Sequence, residues 1–260
     1  IRRQRQMCIR DSGRVADVVS VTGFILSSMP VGDYDRRVVI LSRELGKIAA
    51  FAKGARRPNS HLIGVTRPFI FGTFEVYRGR DSYTIQKANV TNYFEELVSD
   101  LDGVLYGYYF AELAEYYGRE NLDAADMINL LYVAFKALVN KSLPNELVRY
   151  IYEIRLIAVN GECPDFFSCA GCGSEKELQL YSYKENGMYC VECAASSGDG
   201  IVLQSSTLYT LQYIITAPLT KLFNFVVKAD VLNELKKVVN RIEFITFDKH
   251  FKSKEMLDIG

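Results

Sequence analysis

The chain has 260 residues, 49% hydrophobic and 24% charged, an ordinary globular composition, and no run approaches the roughly 20 consecutive apolar residues of a membrane-spanning helix. That length accommodates one large domain or two to three small ones. The formal charge of zero hides an asymmetry: residues 13–92 carry twelve Lys/Arg against six Asp/Glu, residues 93–168 five against thirteen, and residues 169–260 ten against eleven, so an anionic partner is expected on the first third.

Met7-Cys8-Ile9-Arg10-Asp11-Ser12 matches the translation of a common transposase adapter used in sequencing libraries. Residues 1–12 are therefore read as a non-native adapter segment; the alternative is a short basic arm for nucleic acid. From Val18 the composition turns strand-like. Val18 to Met29 is rich in Val, Ile and Thr, Arg36 to Ser42 follows a Pro30-Val31-Gly32-Asp33 turn, and Gly46 to Lys53 follows another short turn. Gly54 to Thr66 is less regular, with Pro58-Asn59-Ser60 as a turn and cap into a short helix. Pro68 to Tyr77 and Ser82 to Asn89 are two more strands joined by Gly79-Arg80-Asp81. Phe69 and Phe71 alternate in one phase, Phe74 and Val76 in the other, and Gly72 between them predicts a bulge. Three strands, a short helical connection and two strands within about seventy residues is the order of an OB-fold barrel. An SH3-like barrel has a similar strand count; the helical segment between strands three and four separates the two.

After Asn92 the period changes from two to 3.6. Leu97, Leu101, Leu105, Tyr109, Leu113 and Tyr116 fall on one face, predicting one long helix or two abutting ones over 93–118. The aromatic cluster Tyr106, Tyr108, Tyr109, Phe110, Tyr116 and Tyr117 reads as a core stripe rather than a base-stacking platform, since it has helical spacing and lies beside Glu112 and Glu115. Met127, Leu130, Leu131, Ala134 and Leu138 mark a second helix. A third begins near Pro144, carries Leu147, Val148, Ile151, Ile154 and Ala158, and ends at Gly161. Ser205 or Ser206 is expected to cap a helix carrying Leu208, Leu211 and Ile215, and Asp230 another carrying Leu232, Leu235, Val239 and Ile242. The fold class is α+β: an OB-fold over 13–92, then an α-helical bundle over 93–260 with an insertion at about 163–200.

That insertion holds the most specific motif. Cys169/Cys172 and Cys190/Cys193 are two Cys-x-x-Cys pairs seventeen residues apart, in a chain whose other cysteines are Cys8 and Cys163. The pattern points to one Zn²⁺ held by four thiolates, with Leu178 to Tyr183 and Gly187 to Tyr189 as a hairpin between the knuckles. Gly171 and Gly173 ease the first knuckle. Two disulfides or a redox pair are the alternatives, and nothing in the sequence suggests the oxidising setting they need. Four cysteines leave no open coordination position, so the zinc is expected to be structural. A zinc deaminase would need His-x-Glu, and neither His61 nor His250 stands two residues before a Glu. With two histidines, and without a Gly-rich phosphate loop, a hydrolase or redox enzyme has little to build with.

The basic residues of the first third are Arg36, Arg37, Arg43, Lys47, Lys53, Arg56, Arg57, Arg67, Arg78, Arg80 and Lys87, with Arg14 at the margin. An OB-fold binds nucleic acid across strands two and three, between the loops joining strands one to two and four to five. Arg36, Arg37, Lys47, Lys53, Arg56, Arg57, Arg78 and Arg80 are the candidate phosphate contacts; the alternative is a solvated basic surface.

Val21-Thr22-Gly23, Asp33-Tyr34-Asp35-Arg36, Gly46-Lys47-Ile48 and Lys53-Gly54-Ala55-Arg56-Arg57-Pro58, followed by the helices and the four cysteines, resemble the RecO family of DNA recombination and repair mediators across residues 15 to 250. The resemblance implies an OB-fold, a helical domain and a four-cysteine zinc finger. It further implies a cytoplasmic, nucleoid-associated protein that is not an enzyme. Such a protein binds single- and double-stranded DNA, anneals complementary strands and works with RecR to load RecA on gaps coated by single-stranded DNA-binding protein. A zinc-ribbon protein of transcription or translation whose OB-fold prefers RNA is the competing class.

Overall fold

The computed structural model describes residues 18–80, 82–196 and 199–259; the adapter-like residues 1–12 and Arg14 fall outside these. Five strands, β1 (Val18–Val31), β2 (Asp35–Ser42), β3 (Gly46–Ala52), β4 (Phe71–Arg78) and β5 (Tyr83–Asn92), close into a barrel in the order β1-β2-β3-β5-β4. Only the β3–β5 pairing is parallel. The fourteen residues of β1 serve two neighbours, the first half pairing with β4 and the second with β2. The crossing point is Gly23, opposite both Gly72 and Ser42, where a Cβ would lie 1.8 Å from the Leu41 carbonyl oxygen. Only a residue without a side chain lets β1 pass between both partners there.

The alternation along the strands serves two cores at once. Val38 and Ile40 point inward with Val21, Ile25, Ile48, Phe74, Val76 and Ile85. Val39 and Leu41 point outward and, with Phe24 and Leu26, join the buried cluster of the helices. The predicted phase change in the fourth strand has the same origin. The β4–β5 register shifts between Phe71 and Gly72, leaving Phe69 and Phe71 on the helical side and Phe74 and Val76 in the barrel. Phe69 itself precedes the strand with φ 72°. Its N–H donates to the Ile25 carbonyl at 2.9 Å, and its ring lies 5.2 Å from that of Phe135, which hold it in a conformation a bulky residue otherwise avoids.

Several boundaries differ from the sequence expectation. β1 runs on through Pro30 and Val31, so the first turn narrows to 32–34. The short helix expected in 54–66 is instead a chain of turns, with N–H groups of Arg57, Ser60 and Ile63 donating to carbonyls three residues back. Positive φ at Gly54 (66°) and Asn59 (63°) interrupts any helical run, while buried Leu62 ties the segment to the barrel core.

The helical region opens with α1 (Glu95–Ser99) and α2 (Leu101–Tyr117), followed by α3 (Ala125–Asn140) and α4 (Asn145–Val159). Extended Asp100 (φ −93°, ψ 109°) separates the first two and resets the helical phase. Leu101 is consequently 87% exposed, whereas Leu97, Tyr109 and Leu113 are buried. The end of α4 is built as expected. Gly161 (φ 78°) donates to Ala158 and Glu162 to Ile157, the two bonds of a Schellman cap.

A three-stranded sheet follows, β6 (Leu178–Ser182), β7 (Gly187–Cys190) and β8 (Ile201–Val202), with α5 (Val191–Ala194) inside it. The third strand was not foreseen. The chain ends in α6 (Ser205–Thr216), α7 (Ala229–Thr246) and α8 (Lys252–Ile259). Neither Ser205, Ser206 nor Asp230 is an N-cap; Gln204 and Lys228 hold those positions. The Gln204 N–H and Nε2 both donate to the Glu234 carboxylate, at 3.0 and 2.9 Å, so α7 takes one of the unpaired N–H groups at the start of α6. α4 packs on α6 and α7, and α2 on α8, so helices from both sides of the cysteine sheet share one buried cluster.

Candidate nucleic-acid interface and cysteine cluster

The start of β2 lies beside the end of β3 (Arg36 opposite Ala52), the end of β3 beside the start of β5 (Phe51 opposite Thr84), and the end of β4 beside the same strand (Arg78 opposite Tyr83). These registers gather the β1–β2 turn, the segment after β3 and the β4–β5 turn at one end of the barrel. Arg36, Arg37, Lys53, Arg56, Arg57, Arg78 and Arg80 are thereby brought to one rim; all but half-buried Arg36 are exposed.

Part of that rim is clasped. The Asp35 carboxylate accepts the Gly54 N–H at 2.7 Å, the Tyr34 carbonyl accepts the Arg56 N–H at 2.8 Å, and Arg56 Nη1 donates to the Gly32 carbonyl at 3.1 Å. Arg57 lies over the Tyr34 ring, 5.0 Å from its centroid. Arg36 Nη1 donates to Thr66 Oγ1 at 3.0 Å and to the Ile63 carbonyl at 3.2 Å. Burial, and then the positive charges of Arg67 and Arg56, lower the Arg36 pKa. Residues 32–37 and 53–67 together hold six Lys/Arg and two Asp, and Asp35 is committed to the backbone. A guanidinium has five donors, so each clasping arginine keeps some for a ligand. The arrangement suits phosphate oxygens, which Arg recognises through charge-assisted hydrogen bonds.

Lys47 is placed elsewhere. Its Nζ donates to the Glu115 carbonyl in the last turn of α2 at 2.7 Å, and burial lowers its pKa. Arg43 is likewise turned to the helices, donating to Asn129 Oδ1 at 2.8 Å. The lower half of the outer β2–β3 face, where Val39 and Leu41 are buried, is thus covered by the helices. What stays open includes residues outside the candidate phosphate contacts: Arg67, half-exposed Tyr34, and half-buried Phe51 and Tyr77 on the outer face, with Phe51 directly opposite Arg37. Period-two alternation around buried Ala50 and Ala52 could have placed Phe51 outward; Tyr34 carried no periodic signal.

The four cysteines converge as predicted. Cys169 and Cys190 are buried, Cys172 is exposed and Cys193 is intermediate, with all four Sγ atoms within 4.8 Å of one another. None is in a disulfide, and Cys172 Sγ lies 3.7 Å from Cys190 Sγ. A tetrahedral ion with Zn–S bonds of about 2.3 Å separates its sulfurs by about 3.8 Å. The first knuckle turns at Gly173 (φ 75°), whose N–H donates to the Cys169 carbonyl at 2.8 Å. Gly171 has a different role from the one its sequence position suggested: a Cβ there would sit 3.0 Å from Cys193 Sγ, so it lets the two pairs approach. β7 delivers Cys190, whose N–H donates to Cys169 Sγ at 3.3 Å. Burial alone would raise the Cys169 thiol, but N–H donors from Cys190, Cys172 and Gly171 bring it down to about 6. Its neighbours Cys172, Cys169 and Cys190 push Cys193 up to about 12. The donor set therefore fits one cation and has no fifth position built in. Cys163 lies outside the cluster; burial and then Asp165 push its thiol up to about 12.

Comparison with known proteins agrees across both the barrel and the helical region. Residues 17–94 match the family described as recombination protein O, N terminal, and residues 98–255 match recombination protein O, C terminal. The chain is 30% identical over 244 residues to the DNA repair protein RecO of Acetivibrio thermocellus, covering 92% of this chain and 96% of that one. It is 28% identical over 245 residues to that of Oceanobacillus iheyensis, with 92% of each covered, and 27% identical over 236 residues to that of Bacillus subtilis, with 91% and 92% covered. With the five-stranded barrel and the four cysteines each inside a matched region, and α2 to α7 inside the second, this chain belongs to the RecO family.

Proposed function

We propose that this protein acts in DNA repair and recombination by binding DNA through the basic end of its barrel. On this reading it anneals complementary strands and, with RecR, helps load RecA on gaps coated by single-stranded DNA-binding protein. It does this without making or breaking covalent bonds. The observation that carries the reading is the clasped arginine cluster at the open barrel end, formed by Arg36, Arg56 and Arg57 with Lys53 and Arg37 beside it. A surface of this kind neutralises phosphates regardless of sequence. Annealing needs that property, because the main obstacle to bringing two backbones together is their charge. The acidic helices are better suited to protein partners than to DNA.

Division of labour follows at about residue 92, with DNA attachment before it and partner contact after it, in a cytoplasmic, nucleoid-associated protein. Cys169, Cys172, Cys190 and Cys193 would hold one Zn²⁺, whose contribution is to fold the segment around β6–β8; binding of structural zinc is worth about 10 to 16 kcal/mol in small peptides, enough to order it.

Reversing charge at Arg56 and Arg57 together (R56E/R57E) tests the DNA path. Affinity should fall by a similar factor for every DNA sequence, and the slope of log affinity against log salt should flatten by about two. Unchanged affinity at low salt would place the DNA elsewhere. An RNA-directed role makes the opposite forecast in competition, with RNA displacing labelled single-stranded DNA at lower concentration than DNA does.

A further inference from the structure

We propose that Tyr34, backed on one face by Arg57, is a stacking station for an unpaired nucleobase. The barrel would then hold single strands by a base contact as well as by charge. The inference rests on the nucleic-acid reading above and specifies its ligand.

Tyr34 is the middle residue of Asp33-Tyr34-Asp35, between β1 and β2, and it is 50% exposed. It belongs to neither buried cluster among the described residues, so neither core depends on it. Yet the turn that carries it is pinned. The Tyr34 carbonyl accepts the Arg56 N–H at 2.8 Å, and the next residue, Asp35, accepts the Gly54 N–H at 2.7 Å. A large ring displayed on a held backbone is ready for a ligand at little further entropic cost.

The Arg57 guanidinium covers one face of the ring, 5.0 Å from the centroid. That contact holds the ring by cation–π attraction, and half of the residue remains open to solvent. Arg56 Nη1 donates to the Gly32 carbonyl of the same turn at 3.1 Å, and Arg36 and Arg37 follow it at the start of β2. An aromatic face beside a cationic groove is the combination that recognises single-stranded nucleic acid: the cations track phosphates, while the ring takes the π-face of whichever base arrives. In a duplex each base is already stacked and paired, so only a single strand can use Tyr34.

The test is fluorescence anisotropy on the full chain with Zn²⁺ supplied. The probes are labelled oligo(dT), an abasic strand of the same length and a duplex with the same number of phosphates, each across a salt series. Tyr34→Leu keeps bulk but removes the π-face, and Tyr34→Phe keeps the π-face. Y34L should bind oligo(dT) about tenfold more weakly at unchanged salt slope, while its affinity for abasic strand and duplex, and its melting temperature, match the unsubstituted protein; Y34F should bind all three normally. Equal binding of oligo(dT) by Y34L and the unsubstituted protein would overturn the station while leaving the DNA reading in place. So would an equal loss on all three probes, which would make Tyr34 a support for the phosphate site. Failure of the unsubstituted protein to bind any probe in a salt-dependent way would overturn both.

Discussion

Glu153 is the residue whose surroundings depart furthest from its chemistry. It is fully buried on α4, with Oε1 accepting from Arg149 Nε at 2.8 Å and its carboxyl hydrogen-bonded to that of Glu243. Burial, and then the charge of Glu243, push its pKa well above the carboxylate range, against the pull of Arg149. Glu243 behaves oppositely. Burial would raise it, but Glu153, the Lys254 ammonium at 2.5 Å and the Tyr109 hydroxyl at 2.7 Å hold it below its ordinary value. The pair therefore divides into one proton-bearing and one ionised carboxyl. Glu153→Gln, which mimics the protonated form, should change stability by no more than about 1 kcal/mol, whereas Glu243→Gln strips Lys254 and Arg149, 3.7 Å away, of their anion and should cost about 3 kcal/mol. Because the folded pKa of Glu153 is raised, the stability linked to its proton is fully present below the ordinary carboxylate range and is lost as pH climbs toward the folded value. Urea midpoints measured across that range should show E153Q flattening the decline, and a parallel decline in E153Q would refute the assignment.

At the scale of elements, the cysteine sheet is the part whose own packing is least able to hold it. β6 has five residues, β7 four and β8 two, while isolated two-stranded hairpins are marginal in water. Two of its buried side chains, Tyr181 and Met188, belong to the helical cluster, and Leu178 and Ile201 pack against it; on the proposed zinc reading the metal supplies the remainder of its order. Cys190→Ser removes a buried ligand at the end of β7. The substitution should abolish stoichiometric zinc, measured by a chromogenic chelator, and lower the melting temperature, while oligo(dT) affinity stays within about twofold because the arginine rim is on another element. A tenfold loss of DNA affinity in a still-folded C190S protein would make the cysteine sheet a contact surface.

The whole molecule places a basic barrel against acidic helices, and the seam between them decides which cations are free. Gly46 (φ 65°) has no room for a Cβ, which would lie 2.1 Å from the Arg119 carbonyl oxygen. There the Lys47 N–H donates to Arg119 at 3.0 Å and the Asn121 N–H to Leu45 at 2.8 Å. Lys47 closes the seam with its ammonium on the end of α2, where a cation also meets the negative end of the helix dipole. Lys47→Met should therefore reduce stability and leave the salt slope of DNA binding unchanged, whereas Arg37→Ala, at the open rim, should flatten the slope by about one with little effect on melting. A flatter slope in K47M would return Lys47 to the DNA path.

Local chemistry was enough for much of this protein. Period-two runs broken by Gly and Pro marked five strands, a 3.6 period marked the helices, and two Cys-x-x-Cys pairs marked the cysteine cluster, because each signal depends on residues near in sequence. The charge surplus of residues 13–92 likewise identified the barrel as the basic part. What local chemistry left open depended on distant partners. Whether 54–66 became helix or turns was decided by Asn59, Leu62 and the barrel beneath them. What receives the Gln204 N–H at the start of α6 was decided by Glu234, thirty residues away. Above all, Lys47 and Arg37 are equivalent cations in a one-dimensional reading. Only the packing of α2 on the barrel, which buries one side of β2–β3 and leaves its upper rim in water, separates the cation that closes the fold from the one free to meet an anion.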